Sequence, residues 1–423
     1  VGGGRQVIRP SVYKWLLVAT LFFFNAINYA DRTSITAVYS LLKTDLGFSD
    51  IGLGAVGSSF LWSYALASPF AGFIGDRVRR GRLLLWSLAG WSLATLLTGL
   101  VAEQWQLLSM RVALGLVEAL YLPAALALVA EYHGQETRAT ALGLLNVGNY
   151  VGLVGGGTIG GWLGGLYGWR APLVVLGVAG IVLAGLAWFV LPGRKGIPEP
   201  ENTGPKIPNL SFFDAAGQLA RIPSFLVLAG AGVLASIGTW IFINWLPLFF
   251  RENMGMTLMT AGFLGSSLVS VSSAVSQAGA GFVSDRLARG GEHYRLLMNA
   301  VLILCAAPTL LVVVFTRNHT AIMLALIGYG ILRAAGDSNI IPVICDLAGP
   351  AKRSTAIGLT NMLNTIVGGL GVLVAGFLKS GFGLSGVFAG VAGILALDAA
   401  LLFTGYMLWI RRDLAKHMAP ERL

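Results

Sequence analysis

Residues 71–81 read AGFIGDRVRRG, and residues 280–290 read AGFVSDRLARG, the same phrase displaced by 209 positions. A second phrase, RATALGLLNVGN at 138–149, returns as RSTAIGLTNMLN at 353–364, displaced by 215. That displacement also carries Glu131 onto Asp346, each seven residues before the repeated arginine, and sets Glu118 opposite Arg333. Two phrases that recur in the same order at nearly the same distance make the chain an internal duplication. This decides the architecture before any single helix is read.

Outward from these phrases the sequence is mostly apolar. Of 423 residues, 56% are hydrophobic and 11% charged, and the mean hydropathy is +0.75. Soluble domains carry about 25% charge, so this chain cannot clothe itself for water. Disorder is excluded as well, because it needs low hydrophobicity. The apolar residues form continuous runs of about twenty with no period-2 alternation, which selects membrane-spanning helices over a barrel. The runs predict twelve spans, at 13–40, 51–74, 82–102, 105–130, 138–166 and 170–192, then 223–250, 258–284, 295–316, 320–347, 354–378 and 384–410. The expected fold is therefore an all-α membrane protein of two six-helix bundles, residues 1–192 and 223–423. They are joined by a polar, Pro-rich linker at 193–222 in which SFFDAAGQLAR reads as a short amphipathic helix. The first apolar run is too long for a signal peptide and lacks a cleavage site, so none is expected.

The net charge of +10 follows membrane topology. With a cytoplasmic amino terminus, 21 of the 29 Lys and Arg residues fall on the inner side and 5 (Lys43, Arg170, Arg251, Arg317 and Lys379) outside, while Arg32, Arg111 and Arg333 lie within spans. That bias places both termini in the cytoplasm. No nucleic-acid partner is expected. Two cysteines, Cys305 and Cys345, build neither a disulfide framework nor a Cys-based metal site. The four histidines fall in loops or tails, and no HExxH, GxSxG or P-loop pattern occurs. The chain is expected to be neither an enzyme nor an ATPase, and to use no cofactor or metal. Parallel repeats point to a carrier with its site near mid-membrane where the bundles meet.

Ionisable side chains inside spans cost at least about 2.5–3.5 kcal/mol each on the insertion scale, so each needs a reason. Asp31 and Arg32 lie in span 1, where Asn25, Asn28 and Arg32 share a helix face. On span 4 Arg111 lies about 8 Å below the start at 1.5 Å per residue, and Glu118 follows two turns deeper on the same face. The pattern predicts anion capture by arginine coupled to carboxylate protonation. A carboxylate there has its proton affinity raised by desolvation and lowered by nearby arginine. The alternative is an ion pair, Asp31–Arg111 or Glu118–Arg, that only holds helices together. In span 10 Arg333 and Asp337 stand i, i+4 and are expected to pair as auxiliary charge. Trp240, Asn244, Trp245 and Pro247 in span 7 read as a wall or gate, or the tryptophans as an interfacial belt.

Gly72-x-x-x-Asp76-Arg77 followed by Arg79, Arg80 and Arg82 resembles the loop 2–3 signature of the major facilitator superfamily, and Gly281-x-x-x-Asp285-Arg286 resembles its second copy. Arg79 stands where the signature carries a glycine. Within that superfamily NYADRTSI (28–35), RVALGLVEALYLPA (111–124) and NWLP (244–247) resemble the anion:cation symporters. That family includes bacterial sugar-acid/proton symporters and the vesicular glutamate and sialic acid transporters. The resemblance implies proton-coupled symport of a small organic anion by alternating access in a bacterial inner membrane, with Arg32 anchoring substrate and Asp31 and Glu118 carrying protons. It further places Tyr29, Tyr64, Asn149 and Asn364 where substrate hydroxyls bind. Spinster-like lipid transporters share a YxDR-type first span, a Glu-Ala in the fourth and a stretch like RSTA at 353–356. A lysolipid or amphiphile transporter, or a proton-coupled exporter, is therefore the second reading. The expected partners are a small organic anion and membrane lipid, and the expected state is a monomer.

A gate is expected on the cytoplasmic side. Asp76 and Arg77 end span 2, and Asp285 and Arg286 end span 8. Their carboxylates are expected across from the positive amino-terminal ends of spans 11 and 5, with Glu131–Arg138 and Asp346–Arg353 in the same clusters. Gly152, Gly155, Gly156, Gly157, Gly160, Gly161, Gly164 and Gly165 in span 5 are expected to permit close helix approach.

Overall fold

The computed structural model describes residues 10–75, 78–191, 212–288, 293–337, 340–349, 352–410 and 412–413. Every regular element among them is helical. In chain order these are α1 (Pro10–Ala37), α2 (Tyr39–Leu46), α3 (Asp50–Gly75), α4 (Arg80–Thr98), α5 (Gln104–Glu118), α6 (Tyr121–Tyr132), α7 (Gln135–Tyr167) and α8 (Arg170–Ala187). They continue with α9 (Phe212–Leu219), α10 (Pro223–Glu252), α11 (Leu258–Ala288), α12 (His293–Phe315), α13 (His319–Asp337), α14 (Ile340–Ala348) and α15 (Arg353–Gly405). The chain divides into two compact units: residues 1–49, 55–205 and 255–266, and residues 50–54, 206–254 and 267–423.

Nine helical stretches among the described residues are long and apolar enough to cross a membrane. In hydrocarbon a helix is favoured because it satisfies its own backbone polar groups. Phe70, Trp86, Leu186 and Phe189 stand more than half exposed, a surface that suits acyl chains better than water. The longest stretch, Arg353–Ile410, holds both of the last two expected spans. It bends at Gly383, whose φ of 67° is left-handed backbone that a side chain disfavours. Expected spans 82–102 and 138–166 fall on α4 and α7, which are not among the nine.

Two expected spans are broken among the described residues. Span 1 stops at Ala37, and α2 follows. Span 4 divides into α5 and α6 directly after Glu118, because Pro123 has no N–H for the Ala119 carbonyl and its ring crowds that oxygen. Span 10 falls on α13 and α14, with residues 338–339 outside the described residues.

In the first unit α7 lies along α1 with its glycines inward. A methyl carbon on Gly148 or Gly160 would fall 2.7 Å from the carbonyl oxygen of Phe22 or Ser34, and on Gly152 or Gly156 closer still to those of Ala26 and Ala30. The steps of four on both helices make one ladder of backbone contact. Side chains fasten it: Asn25 Nδ2 donates to the Leu145 carbonyl at 2.9 Å and Thr33 Oγ1 to that of Leu153 at 3.0 Å. Gly157 and Gly161 turn the other way, onto Gly262 and Leu258 of α11. Gly155, expected to belong to the set, has open space beside it. In the second unit α10 packs along α15, and Phe242 stacks on Phe388 at 4.8 Å and meets Tyr329 at 4.8 Å.

The duplication is visible in side-chain detail. Arg138 donates to the Ala130 carbonyl (2.9 Å) and Arg353 to the Cys345 carbonyl (3.2 Å), each reaching back eight residues. Gly156→Ala should lower stability by about 1–3 kcal/mol, the usual cost of overpacking, while Gly155→Ala should leave it unchanged. Thermal unfolding of the two detergent-solubilised variants checks this; equal melting temperatures would contradict the ladder.

Candidate functional site

The ladder holds α1 in place, and α1 brings Asp31 and Arg32 to the interior of the first unit. Asp31 and Glu118 are 1% exposed, Arg111 is 4% and Arg32 9%. Four formal charges therefore sit away from solvent in one unit. Arg32 pairs with Glu118: Nε and Nη2 donate to the same oxygen, Oε2, at 3.1 and 2.8 Å. The Asn28 amide lies beside Glu118 as a further donor, though its Nδ2 and the second oxygen, Oε1, form no well-aligned hydrogen bond. Three rings box the guanidinium, with Cζ 4.8 Å from the centroid of Tyr29, 4.9 Å from Phe60 and 5.2 Å from Tyr64. Such contacts favour a cation that has lost part of its hydration.

Glu118 is the last residue of α5, at the end whose free carbonyls disfavour negative charge. The break that Pro123 forces thus leaves this carboxylate dependent on Arg32. Asp31 is held differently. Its Oδ2 accepts from Thr95 Oγ1 at 3.1 Å and its Oδ1 has no partner, although Arg111, Arg32 and Glu118 all lie within electrostatic reach. Arg111 does not bond either carboxylate. It donates from Nε to the Val56 carbonyl at 3.3 Å and lies over Phe60 at 4.7 Å. Of the pairings weighed from the sequence, Glu118–Arg32 forms and Asp31–Arg111 does not.

The remaining candidates fall elsewhere. Asn149 lies on α7 in the first unit, its Nδ2 donating to Asn146 at 3.3 Å and its buried Oδ1 unpaired. Asn364 lies on α15 in the second, with its side chain against Gly232 and its Oδ1 unpaired. Arg333 and Asp337 pair as expected from their spacing. Trp245 is buried and donates to the Val372 carbonyl at 3.2 Å, so it belongs to no interfacial belt, and Asn244 donates to the Trp240 carbonyl. Of the expected gate, Asp76 and Arg77 lie outside the described residues, as do the side chains of Asp285 and Arg286 on α11. Glu131 pairs with Arg80 and not with Arg138, which spends its guanidinium on the carbonyls of His133 and Ala130. Arg353 behaves likewise toward Cys345, and Asp346 sits one residue beyond that cysteine on α14.

The profile of the Major Facilitator Superfamily matches residues 21–372 and 267–422. The chain belongs to that superfamily. Among its relatives is a probable galactarate/D-glucarate transporter of Bacillus subtilis strain 168, 26% identical over 93% of this chain and 92% of its own. Another is an efflux pump of the same superfamily from Mycolicibacterium smegmatis, 28% identical over 95% and 94%. The crystal structure of a bacterial homologue of the human lysosomal transporter Spinster, inward-facing and occupied, superposes with a TM-score of 0.80 at 21% identity, covering 97% of this chain and 99% of that one. At that identity the likeness is one of fold. A transporter in the membrane is the reading these matches share.

Two buried charged groups escaped the sequence reading. Lys379, counted among the outer residues, is 8% exposed and sits between Asp50 (2.6 Å) and Glu252 (2.7 Å) within the second unit. Asp398 is fully buried on α15, and as the sole ionisable residue between 380 and 405 it carried the same signal that exposed Asp31.

Breaking a buried ion pair from one side costs about 3–5 kcal/mol, whereas replacing both partners with apolar groups is near neutral. Arg32→Met and Glu118→Met should each unfold at markedly lower temperature, and the double variant should recover most of the loss. Additive losses in thermal denaturation would mean that the two residues do not stabilise each other.

Proposed function

We propose that this superfamily member is a secondary active transporter that carries a small organic anion, of the sugar-acid kind, together with a proton by alternating access. In this reading it has twelve spans with both termini in the cytoplasm, and works as a monomer in a bacterial inner membrane. One observation carries the proposal: Arg32 spends two hydrogen bonds on a single oxygen of Glu118. A substrate carboxylate needs the same guanidinium, so anion and ionised Glu118 compete for it. When Glu118 takes up a proton its hold weakens and Arg32 can turn to the anion, which it grips in bidentate fashion. Binding of proton and anion is then mutually favourable, by reciprocal linkage.

Asp31 and Arg111 complete the set, two carboxylates against two guanidiniums. Oδ1 of Asp31 accepts no hydrogen bond and Oε1 of Glu118 has only the Asn28 amide near it, so among the four groups these are the two places where a proton would meet least competition. Tyr29 and Tyr64 flank Arg32 and offer hydroxyls to a polyhydroxylated substrate. The relative named as a galactarate/D-glucarate transporter supports a dicarboxylic sugar acid as the first substrate to try. The efflux-pump relative favours a second reading, export of an amphiphile in exchange for protons through the same competition.

Reconstituted protein should accumulate labelled galactarate or glucarate under an inward proton gradient. Arg32→Ala should abolish both accumulation and counterflow exchange, while Glu118→Gln should lose accumulation and keep exchange. Anion affinity of the wild type should rise as pH falls, by up to about tenfold per unit for one coupled proton, and that of Glu118→Gln should be flat. Affinity independent of pH in the wild type would remove the coupling, and export without uptake would select the second reading.

A further inference from the structure

The second unit holds a charged cluster of its own that the transport reading leaves idle. Tyr329, Arg333 and Asp337 lie at i, i+4 and i+8 on α13 and therefore form one stripe. Asp398 on α15 lies within electrostatic reach of Arg333 and Asp337. Both oxygens of Asp398 and Oδ1 of Asp337 are buried without a hydrogen-bond partner, while the Tyr329 hydroxyl lies within hydrogen-bond reach of Arg333. Buried polar groups without partners are rare, and each needs an explanation. Three carboxylate oxygens in one place mark a site that this state leaves incomplete.

Charge balance says what completes it. The first unit sets two carboxylates against two guanidiniums, whereas here Asp337 and Asp398 share one, and Arg333 is already committed to Asp337. Among the described side chains the other elements packed here bring no counter-charge; α11, which meets α13 through Ser273 and Ser276, carries its only charged residues at Asp285 and Arg286, nine or more positions further on. α10 carries ionisable side chains only at its last two residues, Arg251 and Glu252, and α12 from residue 296 onward only Cys305, which is exposed. An ionised carboxylate with no donor and no counter-charge in an apolar interior is prohibitively costly, and such a group neutralises instead.

We propose that Asp398 is a proton-binding site of the second unit, separate from Asp31 and Glu118, and that Arg333 serves it by exchanging partners. With a proton on Asp398, Arg333 pairs with Asp337. When the proton leaves, the carboxylate draws the guanidinium across, Asp337 becomes the unpaired acid, and the Tyr329 hydroxyl lies ready as a donor to whichever carboxylate is left. The proton moves as such, with no other bond made or broken. Proton binding at Asp398 stands without the sugar-acid reading. Only its use as a second coupling site for uptake rests on that reading.

Infrared difference spectroscopy of the reconstituted full chain, with no substrate present, tests the assignment directly. Wild type at neutral pH should show the carbonyl band of a protonated carboxyl group that Asp398→Asn removes. Asp398→Asn, a neutral isostere of the proton-bound form, should unfold at a temperature no lower than the wild type. Asp337→Asn should also lose the band, because it frees Arg333 to pair with Asp398, and Arg333→Met should gain intensity as a second carboxyl becomes neutral. These two variants keep the test open should Asp398→Asn fail to fold. Identical spectra for wild type and Asp398→Asn would overturn the proposal. So would an unchanged band in Asp337→Asn, or loss of the band on adding sodium, which would assign the site to a metal cation.

Discussion

A guanidinium that cannot lose its charge, placed in the interior of a membrane-embedded unit, constrains everything around it. Arg32 must be neutralised where it stands, and Glu118 does this through Oε2. Three aromatic rings then enclose the cation, which suits a group that water no longer hydrates. The pair demands accuracy from the backbone on both sides. On α1 that comes from the glycine ladder of α7, which fixes the helix at backbone contact. On α5 it comes from Pro123, which ends the helix at Glu118 and points the acid inward.

The two units solve the same problem in different ways. Both descend from one ancestral half, as the matched hydrogen bonds of Arg138 and Arg353 show, yet their buried charges are not equivalent. Glu118 has Arg333 as its repeat mate, so an acid in one half faces a base in the other. The first unit is balanced among four groups, and the second carries one acid too many. The frame is set by glycine and proline positions, and the charges sit on it almost freely.

The all-helical membrane fold was legible because spanning helices need only length and hydropathy, a measure that the expected spans on α4 and α7 do not meet. Charges in spans were legible too, since hydrocarbon makes each one costly. Asp31, Arg32, Arg111 and Glu118 do converge in one unit. What could not be read was pairing. Helical spacing put Asn25 and Arg32 on one face, yet Asn25 serves the Leu145 carbonyl of α7 while Arg32 serves Glu118. The sequence also suggested that Arg138 would meet Glu131, seven residues before it. A free end of α6 offers Arg138 carbonyl oxygens nearer than any carboxylate, and Arg80 takes the acid. Local spacing says which residues share a helix face but not which donors a neighbouring helix presents.

Asp398 shows the complementary failure. Its type and position announced a buried acid as plainly as Asp31 did, but it belongs to no phrase that resembles a symporter motif. Motif resemblance directs attention to the first, fourth and seventh spans, and an acid in the last span is then read as background. The physical criterion is indifferent to motifs. An ionisable group in hydrocarbon must be paired, solvated or neutral, and Asp398 is neither paired nor solvated. Applied evenly, the rule that picks out Arg32 and Glu118 picks out Asp398 with equal force.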